Sequence, residues 1–224
     1  MNLLALETST DRLSIAVLRE NRMHETNLVV GNRHAELVLP SIEALLAEAG
    51  LSRSDLDGIA FGAGPGAFTG LRVACSVAQG LAAALEIGVI GVNALETLAE
   101  QCGGPRVIAC LDARMGEVYH AAYERETTVW REVVAPGVCT ADAMPRPPGR
   151  DWIGCGSGFV VHGNALRARL DGSLARVVED VFPTAAAMLR LAAPRFERGE
   201  ALAPEAAYPL YVRDKVALTV AERR

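Results

Sequence analysis

Short apolar runs separated by polar breaks open the chain. "LLALETS" reads as a buried strand, because its apolar positions follow one another without alternation. "LSIAVLRE" comes after a turn at Thr10–Asp11–Arg12 and alternates around Ile15 and Val17, and "MHETNLVV" comes after the break "ENR". Three strands with such short connections form an antiparallel meander. The period then lengthens. Val38, Ile42, Leu45 and Ala49 make one helical stripe over residues 34–49, and Leu39 and Leu46 make a second. Gly50 stands where a helix-ending glycine belongs, while Pro40 predicts a kink or a later start. "LDGIAFGAG" reads as a strand, residues 68–85 as a long helix, "GVIGV" as a short strand and residues 94–101 as a helix. That succession adds parallel strands to the sheet.

"CGGPR" breaks the pattern and marks a boundary between residues 1–104 and 105–224. Beyond it the opening pattern recurs. "VIACLDARMGEVYHAAYERETTVWREVV" aligns with "LLALETSTDRLSIAVLRENRMHETNLVV", and Asp112 falls opposite Glu7. Two similar α/β lobes facing a cleft are expected, the second smaller and less regular. In it "APGVCTADAMPRPPGR" reads as irregular with a helical turn, "DWIGCGSG" as a strand and "PTAAAMLRLAAPRFERG" as a helix. Pro183 suits that helix's start, and Pro194 should end or kink it. The final segment is expected to pack back on the first lobe.

Composition narrows the function. Half of the 224 residues are apolar and few are aromatic, so Leu, Val, Ile and Ala must build the core. Net charge is −5 with no long basic run, which disfavours a direct grip on nucleic acid. Five cysteines without a C-x-x-C pair, three of them in apolar segments, suit a reducing cytoplasm. "MNLLALETST" lacks a basic region and is no signal peptide, and Arg72, Gln79 and Glu86 interrupt the apolar window 71–92, so no membrane span is expected.

"FGAGPGAFTGLR" holds four glycines and a proline between strand and helix. A P-loop is excluded, since its register is absent and Lys215 is the sole lysine. Gly62, Gly64 and Ala67 fit a weak dinucleotide fingerprint with Glu86 downstream, although a meander precedes it. The competing reading is a tight crossover in which backbones pack closely. In the next helix the polar residues are Thr69, Arg72, Ser76 and Gln79, and it is apolar nearly all round. Such a helix is covered on both sides, by a partner or by the neighbouring helix. Ser9, Ser76 and Ser157 lack a nucleophile elbow, and His24, His34, His120 and His162 form no metal-binding pair. Glu7 and Asp112, at equivalent strand ends, are placed to face a cleft; each equally suits a turn cap.

"LALETST" with "SIAV", then "GPGAFTGLR", "LDARMGEVY" and "YVRD", resemble the TsaB (YeaZ) family over nearly the whole chain. The resemblance implies an actin/Hsp70/sugar-kinase-like fold. It implies a non-catalytic dimerisation subunit of the machinery that makes N6-threonylcarbamoyladenosine at position 37 of tRNA. Such a subunit pairs with catalytic TsaD and through it with the ATPase TsaE, forms a homodimer when alone, touches tRNA only indirectly and needs no cofactor by itself. TsaD is related and carries V-N-H-x-x-x-H, whose two histidines hold a metal; here "GVNALETL" keeps Val92 and Asn93 but has Ala94 and Leu98 at the histidine positions, without electron pairs to donate. Ala113, Arg114 and Met115 come after Asp112 where the superfamily has glycine-rich phosphate turns, so Glu7, Thr8, Ser9 and Asp112 outline a degenerate nucleotide cleft. The family's partner surface places His34, Val38, Ile42, Leu45, Phe68, Leu71, Arg72, Cys75 and Gln79 at the interface, with Ala74, Ala78 and Ala82 permitting close approach. The rival reading is an enzyme of the same superfamily, peptidase-like or nucleotide-hydrolysing; a Rossmann-type cofactor binder is a third.

Overall fold

A computed structural model describes residues 1–212, so Arg213 and Asp214 of the "YVRD" motif lie outside the described residues. The chain forms two lobes. The first is built on β1 (Asn2–Glu7), β2 (Arg12–Arg19), β3 (Arg22–Val29), β4 (Gly58–Gly64) and β5 (Gly88–Asn93), with α1 (His34–Glu48) and α2 (Phe68–Leu85) in its connections. Then come α3 (Ala94–Cys102) and the second lobe: β6 (Arg106–Arg114), β7 (Glu117–Glu126), β8 (Val129–Thr140), β9 (Trp152–Cys155), α4 (Ser157–Arg169) and β10 (Leu174–Val178). The helix α5 (Ala185–Glu197) comes after them.

The duplication extends to topology. The sheets run β3-β2-β1-β4-β5 and β8-β7-β6-β9-β10, one order used twice. In each, three strands form an antiparallel meander, and the fourth and fifth add in parallel. Glu7 ends β1, and Asp112 lies near the end of β6.

Side chains of β1 alternate between two cores, as a period of two requires. Leu4 and Leu6 pack with α1 and α2, while Leu3 and Ala5 pack with α5. The helices are exchanged between lobes. α5 comes after the second lobe but covers the first sheet, its Ala185 amide donating to Ser14 Oγ at 2.7 Å. α3 precedes the second lobe and covers its sheet through Leu95, Leu98 and Ala99. The final segment returns to the first lobe: Leu202 bridges Val89, and the Leu210 amide donates to the Ala63 carbonyl at 2.6 Å.

Several expectations need correction. α1 starts at His34 and runs through Pro40 to Glu48, and α5 runs through Pro194 to Glu197. Both prolines are exposed, so the hydrogen bond each omits is lost where water replaces it. The first part of the stretch expected to be irregular belongs to β8, which continues to Thr140, with register shifts against β7. Hydrophobic periodicity does not reveal α4 and β10. α4 has no clean apolar stripe and breaks helical geometry at His162 (φ −116°, ψ 21°), so its pattern carries little signal. By length and composition alone α2 is apolar enough to cross a membrane. Its Leu71, Ala74, Ala78 and Ala82 face is nonetheless buried in the protein.

Candidate functional site

Between the lobes lies a cleft of about 1070 Å³, lined among others by Ser9, Arg12, Gly66, Asp112, Arg114 and Ser157. Glu7 and Thr8, expected to face it, do not line it; they sit behind the glycine loop, 1% and 0% exposed.

The glycines of that loop interlock with the end of β1. A Cβ on Gly62 would lie 2.5 Å from Glu7 Oε2, and one on Gly66 would lie 2.4 Å from the Ser9 carbonyl oxygen. One on Gly70 would lie 1.9 Å from the Thr8 carbonyl oxygen. Hydrogen bonds hold the contact: Thr8 Oγ1 donates to the Gly70 carbonyl at 2.7 Å, and the Ala67 amide donates to the Ser9 carbonyl at 2.7 Å. The loop is therefore engaged by the chain's own strand end, the close-packing alternative. Glu7 Oε1 accepts from the Ser9 amide at 2.6 Å, whereas Oε2 has no hydrogen-bond partner among the described residues. Burial pushes this carboxyl up to about 7, against the lowering pull of its hydrogen bonds with Ser9 and Thr8.

Asp112 does reach the cleft, but its own hairpin holds it. Its Oδ1 accepts from the Arg114 amide at 3.1 Å and lies 3.3 Å from His162 Nε2. The Arg114 guanidinium is 3.4 Å from Oδ2. Arg114 and Met115 both take left-handed backbone (φ 62° and 56°), which bulky residues adopt only under constraint, and both side chains project into solvent at the cleft. A second glycine loop, absent from the sequence-based expectations, backs this strand end. A Cβ on Gly156 would meet the Cys110 carbonyl oxygen at 2.4 Å, one on Gly158 would meet Cys110 Cβ at 2.7 Å, and Ser157 Oγ accepts from the Asp112 amide at 3.0 Å. The sequence carries its signal: Gly62, Gly64 and Gly66 around the end of β4 recur as Gly154, Gly156 and Gly158 around the end of β9. The duplication, carried past the meanders, aligns them.

The anticipated partner surface divides in two. Val38, Ile42 and Leu45 are in the first lobe's core, and His34 is buried with Nε2 3.1 Å from the Arg12 carbonyl oxygen. Leu71 and Cys75 are likewise inside, 2% and 5% exposed; Cys75 Sγ donates to the Ala207 carbonyl at 3.4 Å. Leu46, Ala74, Ala78 and Ala82 are also core. These residues are corrected to the inner faces of α1 and α2: the apolar stripes face the sheet, and the returning C-terminal segment covers part of α2. Gln79 is half-buried, its Nε2 donating to the Ala207 carbonyl at 3.0 Å. Phe68 and Arg72 are exposed, with the guanidinium 3.3 Å above the Phe68 ring and Tyr211 alongside. At the start of α3, Ala94 and Leu98 are fully buried in an apolar cluster.

Comparisons with known proteins agree with this architecture. Residues 28–219 match the TsaD family model, tRNA N6-adenosine threonylcarbamoyltransferase. The chain is 34% identical to the tRNA threonylcarbamoyladenosine biosynthesis protein TsaB of Escherichia coli, covering 97% of this chain and 96% of that protein. It is 31% identical to the protein of the same name from Haemophilus influenzae, over 96% and 95%. YeaZ from Pseudomonas aeruginosa superposes with a TM-score of 0.86 at 38% identity, over 94% of this chain and 99% of that one. With its duplicated lobes, interlocked glycine loop and a relationship that runs nearly end to end, the chain belongs to the TsaB (YeaZ) family.

Proposed function

We propose that this chain is a non-catalytic subunit of the assembly that forms N6-threonylcarbamoyladenosine at position 37 of tRNA. In this reading it pairs with a TsaD-like catalytic subunit and through it with a TsaE-like ATPase, and pairs with itself when alone. Family membership supports the pathway; the non-catalytic role rests chiefly on Ala94 and Leu98. They occupy the positions where the catalytic relative has its metal-binding histidines, offer no donor atom and are closed inside the core. Glu7 is walled off and Asp112 is held by its hairpin, so neither is free to orient a nucleophile. The docking surface is the outer face of α1 and α2: Leu39 and Phe68, 49% and 44% exposed, with Arg72, Ser76, Gly80 and Ala83.

The test is reconstitution. The chain, a TsaD-like subunit and a TsaE-like ATPase are assayed for tRNA modification, together and with each left out. The reading expects no product from this chain alone, and loss of product when it is omitted. Modification by this chain alone would overturn it. The size of the cleft favours the rival, a nucleotide hydrolase, while Arg114 and Met115 at its mouth oppose close approach of a phosphate to the hairpin amides. Calorimetric titration with ATP and Mg²⁺ separates the two: a micromolar constant for the isolated chain supports the rival.

A further inference from the structure

Cys102 and Cys155 come together from distant parts of the chain. Cys102 is the last residue of α3 and half-buried, and Cys155 is the last of β9 and fully buried. Leu98 and Cys102 share one face of α3, one turn apart. Cys155 Sγ lies 4.0 Å from the Leu98 carbonyl oxygen, which sets its sulfur over the turn that Cys102 ends. Both side chains belong to one apolar cluster, Cys155 within it and Cys102 packed against it.

Their environments differ. The hydrogen bond from Cys155 and the charge of Arg176 hold the Cys102 thiol below its ordinary value, although its burial opposes them. Burial pushes the Cys155 thiol well up. Of the pair, the sulfur that ionises more readily is therefore the one nearer solvent, with a second thiol beside it. The other cysteines lack this contrast: Cys110 and Cys139 also interact, but burial raises both thiols. Cys75 is buried against Ala207, Cys110 is buried 3.7 Å from Met144 Sδ, and Cys139 is half-buried with its thiol raised.

We propose that Cys102 and Cys155 form an oxidation site in which a peroxide converts the two thiols to an intrachain disulfide. The Cys102 thiolate attacks one oxygen of hydrogen peroxide; the O–O bond breaks, hydroxide leaves, and Cys102 becomes a sulfenic acid. The sulfur of Cys155 then attacks that of Cys102; the S–O bond breaks, and the oxygen departs as water with the proton from Cys155. In sum, two thiols and one peroxide give one disulfide and two waters, the thiols supplying both electrons. The product ties the end of α3 to the central region of the second sheet.

The folded, reduced protein is treated with hydrogen peroxide, blocked with iodoacetamide, digested without reductant and examined by mass spectrometry. The expected result is a peptide pair joined through Cys102 and Cys155, released by dithiothreitol and absent in Cys102→Ser. In Cys155→Ser, Cys102 should halt at sulfenic acid or oxidise further, without a cross-link. Wild-type protein in which Cys102 ends as sulfinic acid with Cys155 still free overturns the proposal. So does a dominant cross-link between chains or through another cysteine. If Cys155→Ser fails to fold, alkylation of the wild type decides: Cys102 must react with iodoacetamide faster than Cys139, which is also half-buried, and equal or slower reaction overturns the proposal.

Discussion

The carbonyl oxygen of Thr8 lies 1.9 Å from where a Cβ on Gly70 would sit, so β1 and the first turn of α2 meet backbone to backbone. Neither side has a flexible group to move aside, and Thr8 Oγ1 clamps the same spot from the other direction. Gly70→Ala should destabilise the protein by about 1–3 kcal/mol, in the range of overpacked cores. Gly80→Ala, in the same helix but exposed with nothing within 4 Å, should stabilise by about 0.5–1 kcal/mol. Urea denaturation of the two variants checks both signs.

Glu7 predicts a pH dependence. Its folded value, about 7, exceeds the unfolded value of 4.5, so the folded protein holds the proton more tightly. Below 4.5 both states are protonated and burial of this group costs nothing through ionisation. As pH rises to about 7 the unfolded chain ionises first and stability falls; above about 7 the penalty is complete, on the order of 3 kcal/mol. Glu7→Gln should remove most of this difference. Urea denaturation at pH 5 and pH 8 tests it: a variant as pH-dependent as the parent would contradict the assignment.

The corrected placement of α1 and α2 predicts two kinds of variant. Leu39→Asp and Arg72→Glu lie on the outer face and should weaken association with a TsaD-like partner or a second copy, while stability changes by no more than about 1 kcal/mol, the Arg72 change giving up its exposed stacking on Phe68. Leu71→Ala, inside the chain, should cost about 2–5 kcal/mol. Light scattering after size exclusion, beside thermal melts, separates the two.

Much of this architecture is legible in the chain. Residues 68–85 read as a helix with the bounds it has, because 18 residues without a proline or a run of charges leave few alternatives. Along the sequence, the apolar character of that helix implies cover from outside. The structure supplies part of the cover from the chain itself, because Ala207 and Leu210 return from far away to lie against it. No local period announces such a contact. α4 escapes for the opposite reason: Gly158, His162 and Gly163 interrupt the pattern that would name it. The second glycine loop emerges only when the repeat is extended beyond the meanders.

Glu100 ties elements of both lobes together. Its Oε1 accepts from Arg190 Nε at 2.8 Å, and its Oε2 accepts from Trp130 Nε1 at 2.9 Å and lies 3.2 Å from Arg125 Nη2. Glu100→Ala strands the indole N–H and takes the carboxylate from two guanidinium groups, of which Arg190 keeps Gln101 Oε1 at 3.4 Å. Because Arg190 and Arg125 keep access to water, the loss should be about 1–3 kcal/mol, below that of a fully buried pair. Thermal unfolding of Glu100→Ala beside Glu100→Gln measures it; an unchanged melting temperature in the alanine variant would contradict the linkage.

The exchange of α3 and α5 makes the chain's halves interdependent. A cut at Gly103–Gly104 would leave the first fragment with no α5 over Leu3, Ala5 and Ile90, and the second with no α3 over Val107 and Leu111. Each piece would carry the other's missing cover, like two hands clasped with fingers crossed. The duplicated halves therefore no longer behave as two domains. Separately made fragments would expose apolar sheet until mixed, and only then regain a structure that neither holds alone.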